Sequence, residues 1–259
     1  MDIARARLRT HLSPRRSRLA LIAALLAVGL AMSCARTVHQ RNAVHILTAD
    51  AVVNPVLEGY IDRGIDEAER TDAKAVVIKL DTPGGLSSSM EHIVQRIQSA
   101  KLPVIVYVAP SGAKAASAGT FITMSAHVAA MAPGTSIGAA HPISSSGEDI
   151  PGTLGKKVEN NAAAYGRSIA EQHGRNANWA ERAVRDSVSA PTSEAVENHI
   201  VDFAADDVDG LLRQSDGRIV TVDGNAVTLR GLTSAPRVSN SLTLLERLLL
   251  VLRDPNIAF

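Results

Sequence analysis

The chain has 259 residues, 46% of them hydrophobic and 20% charged, which suits one or two domains with a buried core and excludes a disordered or collagen-like protein. A net charge of +1 and an aromatic content of only 3% argue against nucleic-acid binding through basic patches or base stacking. A single cysteine, Cys34, excludes an internal disulfide framework and a cysteine-based zinc site.

The charge is unevenly spread. Arg5, Arg7, Arg9, Arg15, Arg16 and Arg18 face one acid, Asp2, within the first 34 residues, so the remainder is net negative. Leu19–Met32 is then an unbroken apolar run, shorter than the roughly 20 residues of a membrane span. Residues 1–35 therefore read as a signal peptide or N-terminal anchor. Ser33 and Ala35 suit a cleavage site, and Cys34 offers lipidation as a further option. The protein is expected to be exported, on the extracytoplasmic or periplasmic side of a membrane, with its fold starting near residue 40.

Beyond that point short β-branched runs alternate with helical periodicity. Strands are predicted at Val44–Leu47, Ala75–Leu80, Pro103–Val108, Val128–Met131, Thr135–Ile137 and Ile200–Ala204. Helices are predicted at Asn54–Arg70, Ser87–Ala100 (opened by a serine cluster), Ala115–Ser125, Leu154–His173, Asn178–Ser187 and Ser193–Asn198. This alternation predicts an α/β fold with a largely parallel sheet and helices on its faces. Residues 218–230 read as a hairpin around Asp223-Gly224-Asn225. Leu242–Leu252 is apolar enough for a docking helix, an interface helix or the approach to a membrane.

Four places could carry chemistry. Asp81-Thr82-Pro83-Gly84-Gly85 follows a buried strand, and its paired glycines let backbone N–H groups approach a ligand closely. Ser117, in Ala115-Ala-Ser-Ala-Gly119, opens a small-residue helix where the dipole favours a reactive hydroxyl and small neighbours leave room for a carbonyl. Lys156 and Lys157 begin another helix, and a desolvated lysine can serve a serine as base. Spacing alone does not choose between them. His141 is the competing base. The other histidines (His39, His45, His92, His127, His173, His199) have no metal-ligand spacing, and neither metal nor cofactor is expected.

Taken together, DTPGG (Asp81–Gly85), PVIVYV (Pro103–Val108), AASAG (Ala115–Gly119) and MAPGTSIGAA (Met131–Ala140), with Gly174-Arg175-Asn176 downstream, resemble the NfeD-type membrane-bound serine proteases. These belong to the ClpP/crotonase superfamily and are related to SppA-type signal peptide peptidases. The resemblance runs over about residues 43–259. It implies stacked β-β-α units and a ClpP-like serine protease domain over residues 40–259, without the C-terminal membrane and β-barrel parts of long relatives. It implies a Ser–Lys dyad of Ser117 and Lys157, counted back from Gly174. The oxyanion hole would come from Gly84 or Gly85 and Ala118. The substrate would be a polypeptide with an apolar segment, such as a stomatin-like membrane protein. The assembly of relatives implies a homo-oligomer, a dimer or higher, for which Leu242–Leu252 offers an apolar face. Lysine's ordinary pKa of about 10.4 means the dyad needs apolar surroundings, for which Ala162–Ala164 are suited, and activity rising toward alkaline pH. Three alternatives stand beside it: a ClpP-type triad with His141 and Asp186, a non-catalytic peptide-binding or scaffold module on the same fold, and crotonase-like acyl-CoA chemistry, against which export and the Ser117/Lys157 match both count.

Overall fold

A computed structural model describes residues 41–144 and 146–252. The expected leader, residues 1–35, lies outside the described residues. The core is a six-stranded sheet built from β1 (Val44–Asp50), β2 (Ala75–Asp81), β3 (Val104–Val108), β5 (Val128–Met131), β8 (Phe203–Ala204) and β11 (Arg237–Asn240). Its order is β11-β1-β2-β3-β5-β8, and every pairing is parallel. Between them lie α1 (Pro55–Arg70), α2 (Ser87–Gln98), β4 (Lys114–Ala116), α3 (Ala118–Met124), β6 (Ser136–Gly138), α4 (Gly152–Gln172), α5 (Ala177–Arg185), β7 (Ser189–Pro191), α6 (Thr192–Glu197), α7 (Val208–Ser215), β9 (Ile219–Val222) and β10 (Asn225–Thr228). A terminal helix, α8 (Leu244–Leu252), follows β11.

The sheet is apolar on both faces because parallel strands need cover on both sides. Residues alternate by the strand period of two. Val76, Ile78, Leu80, Val104, Val106 and Val108 face one core with α1 to α5, while Ala75, Val77, Ile105 and Tyr107 face a second core closed by Leu211, Leu212, Leu229 and Leu232. α1 starts where Asn54 Oδ1 accepts the N–H groups of Val56 and Leu57 at 2.9 and 3.1 Å. α2 departs from expectation here. Leu86 stands at its N-cap and the serines make no side-chain cap.

The ends of the predicted segments differ in informative ways. The stretch expected as one helix from Ala115 splits, because Lys114–Ala116 pairs in parallel with β6 and only Ala118–Met124 is helical. β6 also pairs antiparallel with β7, giving a small three-stranded sheet. A bridge between Thr82 and Ala115 hangs this sheet on the end of β2. β8 is only two residues long, since Asp202 turns its carboxylate to the Ala129 N–H at 2.6 Å and to the Arg175 guanidinium at 2.9 Å. Arg175 itself is buried, donating to the carbonyls of Met124 and Ala126 at 2.7 and 2.8 Å.

Near Arg175, His127 and His173 meet edge to face at 6.1 Å between ring centroids. His127 Nδ1 accepts the Val104 N–H at 3.1 Å, so a proton there would cost that bond. Burial, with the Arg175 guanidinium adding to it, pushes both imidazoles down to about 4. An unfolded histidine titrates near about 6.5, so on acidification the unfolded chain takes up two protons that the folded chain refuses. Stability is therefore whole above about pH 6.5 and falls toward pH 4, by on the order of 2 kcal/mol per histidine after allowance for solvent access. Urea unfolding at pH 7.5 and 4.5 should show this loss, and a His127→Asn/His173→Asn double variant should lose much less.

Candidate active site

The C-terminal ends of β2 and β3 and the small sheet converge on Ser117. It joins β4 directly to α3, with φ of 50° and ψ of −115°. A side chain with Cβ rarely takes positive φ, and such strain is held only where neighbours over-determine it. Here they do. The Ser117 N–H donates to the Gly138 carbonyl at 3.0 Å, and Thr120 Oγ1 donates to the carbonyls of Ala115 and Gly138 at 3.0 and 3.1 Å. The hydroxyl of Ser117 is left without a hydrogen-bond partner among the described residues.

The DTPGG turn passes beside it. Gly84 and Gly85 have φ of 117° and 153°. A Cβ on Gly84 would stand 2.6 Å from Ser117 Cβ and 3.1 Å from its Oγ. On the other side, Val53 N–H donates to the Gly84 carbonyl at 2.8 Å and Leu86 N–H to the Val53 carbonyl at 2.9 Å. In such a parallel bridge the N–H of the middle residue points away from the partner. The Gly85 N–H therefore faces away from Val53 and has no acceptor among the described residues. The Gly84 N–H is already given to Thr82 Oγ1 at 3.2 Å. Ala118 is the first residue of α3, where backbone N–H groups lack intrahelical acceptors. Of the three residues expected for an oxyanion hole, Gly85 and Ala118 thus carry available donors.

Ser117 opens on a cavity of about 100 Å³ bounded by α2, α3 and α4. Met90, Phe121, Val158 and Ala162 give it apolar walls, and Gly85 and Ala118 form its edge. Phe121 and Tyr165 stack with centroids 6.0 Å apart. Burial, and then the charge of Glu91, pushes the Tyr165 phenol up to about 12, so it stays neutral.

The candidate bases separate. Val158, Asn161, Ala162 and Tyr165 mark the cavity face of α4. At about 100° per residue, Lys157 projects roughly a quarter turn from that face, at its rim, and Lys156 points to the opposite side. Lys157 is exposed. Lys156 lines a neighbouring cavity with His141. His141 Nδ1 donates to the Val184 carbonyl at 2.9 Å, and Nε2 lies 3.8 Å from Asp149. Ala140 and Pro142 on either side of it, not His141 itself, line the Ser117 cavity. Asp186 is occupied by Arg182 at 3.5 Å. Sequence reading missed Tyr165, Asn161 and Glu91, whose only signal was helical spacing toward an unknown neighbour. Among the described residues no cluster of three or more potential metal ligands forms, and no helix is long and apolar enough to cross a membrane.

The parallel sheet with a serine elbow at its carboxyl edge is a ClpP-like fold. ClpP1 from Listeria monocytogenes shares it with a TM-score of 0.53 at 18% identity, over 64% of this chain and 94% of that one. The chain belongs to the NfeD1b N-terminal domain family, which it matches over residues 43–231. It is 38% identical over 240 residues to the membrane-bound protease PH1510 of Pyrococcus horikoshii. That match covers 91% of this chain and 54% of the relative, so the chain spans about half the relative's length. A lysine-to-alanine mutant of the 1510-N membrane-bound stomatin-specific protease, in complex with a substrate peptide, superposes with a TM-score of 0.76 at 37% identity. The superposition covers 82% of this chain and 98% of that one.

Proposed function

We propose that residues 40–259 are a serine endopeptidase domain using a dyad of Ser117 and Lys157. The observation that carries this reading is the strained elbow at Ser117, which holds a hydroxyl with no partner beside an apolar cavity and the unaccepted Gly85 N–H. Lys157 takes the Ser117 proton as Oγ attacks the scissile carbonyl. The N–H groups of Gly85 and Ala118 stabilise the oxyanion, a donor pair of a kind whose loss costs about 3–4 kcal/mol of barrier per donor. The C–N bond breaks with the proton returned from the lysine to the leaving amine, and water then hydrolyses the acyl-serine. Substrate lying across the rim removes Lys157 from water and so favours its uncharged form. The relative's structure as a lysine-to-alanine mutant in complex with a substrate peptide supports a lysine in this role.

The apolar walls of the cavity support an apolar peptide segment as substrate, and the relative's stomatin specificity supports a stomatin-like membrane protein as its source. The arginine-rich, apolar N-terminus supports an exported protein acting on the extracytoplasmic side, held to the membrane or released from it. The exposed leucines of α8, Leu244, Leu245 and Leu248, support a homo-oligomer.

The test is a three-way comparison of peptide hydrolysis. Lys157→Ala should lower kcat by about 10²–10⁴-fold, the usual worth of a positioned base. Lys156→Ala and His141→Ala should stay within a few-fold of wild type. Full activity in Lys157→Ala together with loss in His141→Ala would reject the dyad in favour of the triad.

A further inference from the structure

The cavity beside Ser117 has an uneven interior. Part of its wall is carbon: Met90, Phe121, Val158 and Ala162. Its polar lining includes Glu91 of α2 with Asn161 and Tyr165 of α4. The same three residues also line a second, more open cavity of about 270 Å³, so the two spaces adjoin across them. Glu91 is the only charged residue among those lining the first cavity.

The other charged groups of α2 are already engaged toward α1. His92 pairs with Glu58 at 2.8 Å, and Arg96 pairs with Asp62 at 2.9 Å and Asp66 at 2.7 Å. Glu91 is exposed and has no ion-pair or hydrogen-bond partner among the described residues. The residues facing it from α4 are uncharged, and Tyr165 remains a neutral phenol able to donate or accept. A side chain with an aliphatic stem and a cationic head matches this lining, carbon for the stem and a carboxylate for the head, as in lysine and arginine, which bury the stem and keep the head solvated.

We propose that this cavity receives the side chain of the residue supplying the scissile carbonyl, and that Glu91 makes it accept lysine or arginine in addition to apolar residues. The assignment rests on the endopeptidase reading for the cavity's place in catalysis. It makes Glu91 a specificity-determining residue, placed to meet a side chain that is apolar along its length and cationic at its end. A substrate of this chemistry is an apolar segment interrupted or bordered by a basic residue.

The test uses the full chain and two fluorogenic peptides that differ only at that residue, lysine in one and norleucine, its uncharged stem, in the other. In Glu91→Gln the lysine-to-norleucine ratio of kcat/KM should fall about five- to tenfold, the range for a charge-assisted contact at a solvated rim. In Glu91→Lys the preference should invert, with a glutamate peptide gaining on its glutamine counterpart, which a merely structural role for Glu91 would not produce. An unchanged ratio in both variants overturns the proposal, as does a lysine peptide left uncut where the norleucine peptide is cleaved. Binding of the same peptides to Ser117→Ala and to Ser117→Ala/Glu91→Gln, by fluorescence anisotropy, separates the two readings. Charge-dependent binding without turnover in the parent protein keeps the subsite and rejects the peptidase. Cleavage without charge preference keeps the peptidase and rejects the subsite, and absence of both binding and cleavage rejects both.

Discussion

Replacing Ser117 with alanine is expected to lower kcat for peptide hydrolysis by about 10⁴-fold or more, the scale seen when a serine nucleophile is removed. Labelling by a serine-directed phosphonate should vanish with it. Thermal stability should hardly move, because the hydroxyl has no partner to lose and alanine inherits the same positive φ. Ser117→Gly sharpens the point. It should be equally inactive yet more stable by about 1 kcal/mol, since glycine relieves the strain at φ 50° at some cost in chain entropy. A residue held in a poor conformation for no structural benefit, whose relief costs only activity, is the signature of a working nucleophile. Retained hydrolysis or labelling in Ser117→Ala would place the reaction elsewhere.

Gly85→Ala is expected to show the largest stability effect. At φ 153° an added Cβ would lie 2.1 Å from the Val53 carbonyl oxygen and 2.7 Å from the Val53 nitrogen. These are backbone atoms held by the hydrogen bonds between Val53, Gly84 and Leu86, and they cannot swing aside as a side-chain tip would. Overpacking and backbone strain together should cost about 3 kcal/mol or more, with activity lost as the turn moves. Gly84→Ala should behave differently. Its Cβ would press on the Ser117 side chain, 2.6 Å from Cβ and 3.1 Å from Oγ, so catalysis should suffer more than folding. Urea unfolding midpoints beside hydrolysis rates would show the contrast. Wild-type stability in Gly85→Ala would mean that Val53 does not clamp this turn.

The sequence by itself determined the parallel sheet and most of its helices. Buried parallel strands must be apolar on both faces, and AVVIKL and PVIVYV show that in their composition alone. It also singled out Ser117 and the two glycines, because only small residues allow backbone to approach a hydroxyl so closely. It did not show that Lys114–Ala116 is a strand, because a run of lysine and alanines reads as helix until β6 arrives beside it. It did not show α7, β7 or β11, whose short segments are held by contacts with distant parts of the chain.

Only the tertiary structure shows how the candidate residues of the site are arranged. Which of Gly84 and Gly85 has a free N–H depends on Thr82 and Val53. That His141 faces Val184 and Asp149 depends on α5 and the loop ahead of α4. The placing of Glu91, Asn161 and Tyr165 around one cavity depends on how α2 and α4 pack across α3. Local sequence sets which atoms a segment carries and its periodicity. The direction in which a polar group points is set by partners dozens of residues away, and that is where the chemistry of this site is fixed.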